Sequence, residues 1–300
     1  SNLFPEGGKT LLHDKRLLFL FIALMTLLVP VSIATAQGPC STLTTSANPS
    51  SGGSVNANPA PNCNGTQYSS GTVVTLTGTA NPGWTFVDWS GSIVSTTNPV
   101  TVTMNTTTTV TANFRQDQYP LTINTVGSGT VAKSPDQTTY TYGQVVTLTA
   151  TANPGWTFGN WSGAIISTAN PVTVTMNTTK TVTATFTQNQ YTLTITSTNG
   201  TVAKNPDQTT YIYGQVVTLT ATPNLGWTFA NWTGDVVSTT NPVTVTMNAN
   251  KNVTANYTQN QYTLTITSTN GTVTKSPDQT TYTYGQVVNL TATANPGYTF

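Results

Sequence analysis

Six tryptophans in three pairs are the residues in this chain best suited to recognising a ligand. Trp84 and Trp89, Trp156 and Trp161, and Trp227 and Trp232 each stand five residues apart, and an exposed indole face is a platform on which a sugar ring can stack. In an unbroken strand, residues five apart point to opposite faces. One ring of each pair would then be free for ligand stacking. A turn or bulge between the two would instead fold both into the interior. A small unit depends on large aromatics for its burial, so the interior role is the favoured one.

No other residue set has the composition of an active site. His13 is the only histidine and Glu6 the only glutamate, so everything beyond residue 13 lacks both. A Ser-His-Asp or Cys-His centre cannot be assembled there, nor can a histidine-ligated zinc. Beyond residue 36 six aspartates remain: Asp88, Asp117, Asp136, Asp207, Asp235 and Asp278. Three of these follow a proline in matching Pro-Asp-Gln turns, where a carboxylate bonds the backbone nearby. The others are scattered, giving neither a glycosidase-like carboxylate pair nor an Asp-x-Asp calcium loop. No catalytic, metal or cofactor-binding residue is assigned and no cofactor is expected. Lys133, Lys204 and Lys275 recur at one position and could enter an Asn isopeptide bond. With no glutamate beside them, a solvated strand-end lysine that discourages edge pairing is the better reading.

Cys40 and Cys63 are the only cysteines. In a secreted chain two cysteines most simply form one disulfide. It would close 22 intervening residues and contribute about 3 kcal/mol through loop entropy. We read it as a staple on the exposed end of an array.

The array is visible in the elements that must position these residues. Tyr-x-Leu-Thr-Ile opens repeats at Tyr119, Tyr191 and Tyr262, spaced by 72 and 71 residues, with a diverged copy before them. In the third, Tyr191, Leu193 and Ile195 alternate with Thr192, Thr194 and Thr196, the period of a half-buried strand. Asn199-Gly200 follows as a hairpin turn, with Thr201 to Ala203 returning as the partner strand. Gln215 to Thr222, Val243 to Met247 and Val253 to Tyr257 continue in the same style, giving five or six strands and at most a helical turn near Gly234 to Thr239. The fold class expected is all-β, a tandem array of small β-rich repeat domains of about 71–72 residues.

Lys15 and Arg16 precede an apolar run from Leu17 to Ile33 that ends in Ala34-Thr35-Ala36, which reads as a signal peptide. If uncleaved, this segment is the chain's one expected tie to a membrane. The organisation expected is 1–36 signal peptide, 37–118 repeat one with the cysteine pair, 119–190 repeat two, 191–261 repeat three and 262–300 a truncated repeat four. The fourth stops at Phe300, level with Phe86, Phe158 and Phe229. Beyond residue 36 the nine basic and eight acidic residues of the whole sequence fall to six and six. A neutral, threonine-rich chain has no basic patch for phosphates, so nucleic-acid binding is excluded as the main role.

Pro-Gly-Trp-Thr-Phe-x-x-Trp at Pro82 to Trp89 and at Pro154 to Trp161, with Gly226 to Trp232, resembles the aromatic signature of internalin-type bacterial B-repeats, in particular the divergent InlB B-repeat domain. The Asn-Pro-Val-Thr-Val-Thr-Met and Val-Thr-Ala-x-Phe/Tyr stretches fit as well. The resemblance covers residues 41 to 300. It implies a bacterial secreted or cell-surface protein and a β-grasp-like unit, although the helix of that fold is not evident here. It brings no catalytic residues. The function expected is a non-enzymatic stalk, spacer or adhesive module. The alternatives are a carbohydrate-binding array facing cell-wall or extracellular polysaccharide or a neighbouring surface, and accessory repeats of a secreted hydrolase.

Overall fold

Alternation of threonine with Val, Leu, Ala and Phe gives most of the long strands one apolar and one hydroxyl face, and the apolar faces have to meet. In the computed structural model, which describes residues 38–300, they meet as two three-stranded sheets packed face to face in each complete repeat. The expected signal peptide lies outside the described residues. No helix is present among the described residues, the segment Gly234 to Thr239 included. None among them could cross a membrane as an apolar helix.

Repeat two shows the plan. Its first sheet places Lys180–Gln188 in the centre, flanked by Leu121–Val126 and Trp156–Gly163. Its second places Gln144–Ala152 between Gly129–Ser134 and Val172–Met176, all antiparallel. Between the sheets lie Val182, Ala184 and Phe186 from one central strand and Val146, Leu148 and Ala150 from the other, closed by Trp161, Val174 and Met176. Repeats one and three carry equivalent cores. The second sheet covers the face that a helix covers in a β-grasp unit, so the β-grasp expectation is corrected to a β-sandwich.

The Asn-Gly turn also differs from the hairpin expected. Leu193–Ser197 and Gly200–Asn205 do not pair with each other. The connection carries the chain from one sheet to the other. Leu193–Ser197 runs parallel to Lys251–Gln259, whereas Gly200–Asn205 pairs with Gln215–Pro223. Glycine is required because the Tyr257 ring lies where a Cβ on Gly200 would sit. Gly129 meets Phe186 and Gly53 meets Phe114 in the same way. A hairpin would have left both apolar faces on one sheet with nothing to cover them.

The recurrent Asn-Pro-Val is explained by what proline cannot do. Pro171 has no N–H, so the edge strand Val172–Met176 cannot extend the ladder backwards through it. The side chain of Asn170 substitutes. Its Nδ2 donates to the Ala150 carbonyl at 2.7 Å and its Oδ1 accepts from the Ala150 N–H at 2.9 Å. Asn98 does the same at Gly78, and Asn241 at Ala221. Asn170→Ala is expected to lose about 1–3 kcal/mol by stranding both backbone groups. Urea unfolding of the variant should show a lower midpoint with unchanged slope, and an unchanged midpoint would contradict this role.

Candidate functional site

The tryptophan pairs are set by one turn and one bulge. Asn153-Pro154-Gly155-Trp156 closes with the Trp156 N–H donating to the Asn153 carbonyl at 3.0 Å, and Gly155 takes φ of 79°. Proline at the second position and a positive φ at the third define a type II turn. The strand that follows slips register between Phe158 and Asn160. That extra residue returns Trp161 to the inner face, so Trp156, Phe158 and Trp161 all turn inward despite their spacing.

The second tryptophan of each pair is wholly interior. Trp89, Trp161 and Trp232 are 0% exposed. Their Nε1 atoms donate to the carbonyls of Thr97, Ala169 and Thr240 at 2.9 to 3.1 Å. Phe158 tilts against Trp161 at 5.1 Å and meets Phe186 edge-on at 5.9 Å. A covered ring offers no face to a sugar, so these three leave the set of ligand-stacking candidates. Trp84, Trp156 and Trp227 are half-buried. Trp84 and Trp156 lie against the sheet-to-sheet connection at Gly52 and Gly127.

The recurring lysines are locks on the Pro-Asp-Gln turn. Lys204 Nζ lies 2.9 Å from Asp207, donates to the Gln208 carbonyl at 3.2 Å and sits 6.0 Å from the Tyr211 ring centre. Tyr211 donates to the Pro206 carbonyl and accepts from the Gln208 N–H. Lys133 and Lys275 repeat the arrangement. The lysine side chain is only 24% exposed, which corrects the reading of it as a solvated guard. Its acid partner is 74% exposed, unlike the buried acid that isopeptide formation needs.

Hydrogen bonding to the neighbouring aspartate raises the pKa of all three lysines, and burial raises the Tyr68 phenol. A group raised on folding stabilises the fold fully below its unfolded value, and that contribution disappears as pH climbs through the folded one. The unfolded values are 10.5 for lysine and 10.0 for tyrosine. With no histidine or glutamate beyond residue 13, the melting temperature should be flat from about pH 6 to 9 and fall above about 10. A melting curve that drops between pH 6 and 8 would contradict this.

The arrangement that sequence reasoning missed is the joint between repeats. One residue separates consecutive repeats: Lys180–Gln188 ends, Asn189 follows, and Gln190–Tyr191 already pairs with Tyr211–Ile212 of the next. The Asn189 N–H donates to the Gly155 carbonyl at 2.8 Å, and its Oδ1 accepts from Thr157 Oγ1 at 2.7 Å. Asp117 makes both bonds at the first joint and Asn260 at the third. Across each joint a tyrosine of the following repeat lies where a Cβ would stand on the turn glycine: Tyr142 on Gly83, Tyr213 on Gly155 and Tyr284 on Gly226. Tyr-x-Tyr-Gly, recurring at 140, 211 and 282, was the available signal.

Among the described residues no three of His, Cys, Asp and Glu gather as a metal site, and no buried side-chain polar atom lacks a partner. Cys40 and Cys63 are joined as a disulfide. Comparison with curated proteins finds no match. The divergent InlB B-repeat domain matches residues 43–118, 119–190, 191–261 and 262–300. With that match running through all four repeats, the chain belongs to the divergent InlB B-repeat family.

Proposed function

We propose that this chain is a non-enzymatic extracellular spacer that works by its length. The observation that carries this is the parallel pairing of each repeat's first and last long strands. Leu121–Val126 lies beside Lys180–Gln188 in register from Leu121 opposite Lys180 to Val126 opposite Thr185. Two neighbouring strands that run the same way bring the chain in at one pole of the repeat and out at the other. Antiparallel pairing would have returned it to the pole where it entered and folded the array back on itself.

The three joints extend the argument from one repeat to the array. A single connecting residue, bonded through backbone and side chain to the turn of the repeat before, beside a glycine covered by a tyrosine of the repeat after, leaves little freedom for bending. The absence of histidine and glutamate from every repeat supports a role without chemistry. The disulfide supports an oxidising, extracellular setting.

At about 3.3 Å per extended residue, each repeat advances the chain by roughly 30–40 Å. Small-angle scattering is expected to report a radius of gyration of roughly 30 Å, whereas a compact globule of this length would give about 18 Å. A value near the compact one would end the spacer reading.

A further inference from the structure

We propose that repeat one is a dedicated end cap, in which the disulfide replaces the contacts that a preceding repeat supplies to all the others. Repeats two to four each present a head surface that fits the glycine turn of the repeat before. It consists of a short strand such as Gln118–Tyr119, its partner Tyr140–Thr141, and the tyrosine that follows, Tyr142. The short strand is held from outside the repeat, because Asp117 is bonded to Gly83 and Thr85. The partner it fits is another repeat of the same kind.

Repeat one keeps the same two-strand pairing without that head surface. Cys40–Ser41 pairs with Tyr68–Ser69, matching Gln118–Tyr119 with Tyr140–Thr141. The residue after Tyr68-Ser69 is Ser70, where the other repeats have Tyr142, Tyr213 and Tyr284. Ser70 has no ring with which to cover a preceding glycine. Ala57 stands where Lys133 pairs across the strand, since Ala57 is opposite Leu76 as Lys133 is opposite Leu148. The lysine lock is therefore missing too.

In its place the loop between Pro59 and Tyr68 is longer and carries Cys63, bonded to Cys40. Cys63 also exchanges backbone hydrogen bonds with Gln67, at 2.7 and 2.8 Å. Gln67 Nε2 reaches Thr42 Oγ1 at 3.1 Å, and Tyr68 still donates to the Pro59 carbonyl. The covalent bond thus ties the short strand to its own repeat where a neighbour would otherwise hold it. Stacked-repeat proteins need terminal units of this altered kind, because an ordinary unit would expose an unfilled interface. The consequence is an array that joins in one direction only, from the glycine turn of one repeat to the tyrosine of the next.

The proposal rests on the joint described above but not on the array being straight. Amide hydrogen exchange on the whole chain, with and without a thiol reductant, tests it. Reduction is expected to speed exchange at Ser41, Cys63 and Ser69 by roughly tenfold or more while leaving repeats two and three unchanged. Tyr142→Ser, with the disulfide intact, is expected to do the same to Gln118–Tyr119 and Tyr140–Thr141 only. If reduction leaves repeat one as protected as before, or if Tyr142→Ser leaves the head of repeat two protected, the cap is overturned. A bent array seen by scattering alongside both expected exchange patterns would overturn the spacer and leave the cap standing.

Discussion

Trp161→Ala is expected to unfold repeat two at ambient temperature or bring it to the edge of unfolding. The indole is fully buried in a core shared with side chains of both central strands, Phe158 tilts against it, and its Nε1 donates to the Ala169 carbonyl. Truncating a large aromatic in such a core costs about 3–5 kcal/mol, from lost transfer energy and the cavity left behind. A repeat of this size buries a small core and has little stability to spare. Urea unfolding followed by circular dichroism should therefore show an early transition worth about a third of the strand signal, with repeats one and three melting later. Trp156→Ala, at a half-buried ring, should cost clearly less. Equal effects at the two positions would mean that burial is not what distinguishes them.

The second large effect is expected at a joint. In Gly155→Val the new side chain would land on the stem of Tyr213, at a residue whose φ of 79° already disfavours any β-branched side chain. Strain of about 1–3 kcal/mol is expected, and the cheapest relief is to lift repeat three off repeat two. The core of repeat two does not include Gly155, so its own unfolding should shift less than in Trp161→Ala. Scattering should instead show a broader distribution of lengths than the native chain, and proteolysis should cut near Asn189. Tyr213→Ala removes the ring without straining the turn and should loosen the same joint more mildly. If Gly155→Val leaves both the length distribution and the cleavage pattern native, the joint is not held by this contact.

Much of the single repeat was legible because its signals are local. Alternation at Leu193, Ile195 and their threonines places an inner and an outer face without knowledge of any partner. The turn glycines and prolines were legible for the same reason, as were the disulfide between the only two cysteines and the aspartates of the Pro-Asp-Gln turns. The tryptophan pairs were half legible. Five-residue spacing defines two outcomes, and a bulge between Phe158 and Asn160 selects between them. No sequence signal for that bulge stands out, because the bulged residue is Val87, Gly159 or Ala230 in the three repeats.

Two of the corrected expectations share a cause. Asn199-Gly200 reads as a hairpin because the dipeptide suits one. Whether the flanking strands pair with each other depends on which other strands compete for them. Lys204 reads as a solvated guard because a lysine's reach to Asp207, Gln208 and Tyr211 appears only once the turn is folded.

By itself the sequence determined the number of repeats, the all-β class and, outside the bulged strands, the inward or outward sense of the strand residues. Those follow from periodicity and residue type, which act over a few positions. Only the tertiary structure decided that Leu121 pairs with Lys180, 59 residues later and in parallel, and that Tyr213 rests on Gly155 of the repeat before. Such contacts are selected by which burial and hydrogen-bond pattern the whole repeat can satisfy at once. No local pattern encodes that choice, and on it depends whether the chain extends or folds back.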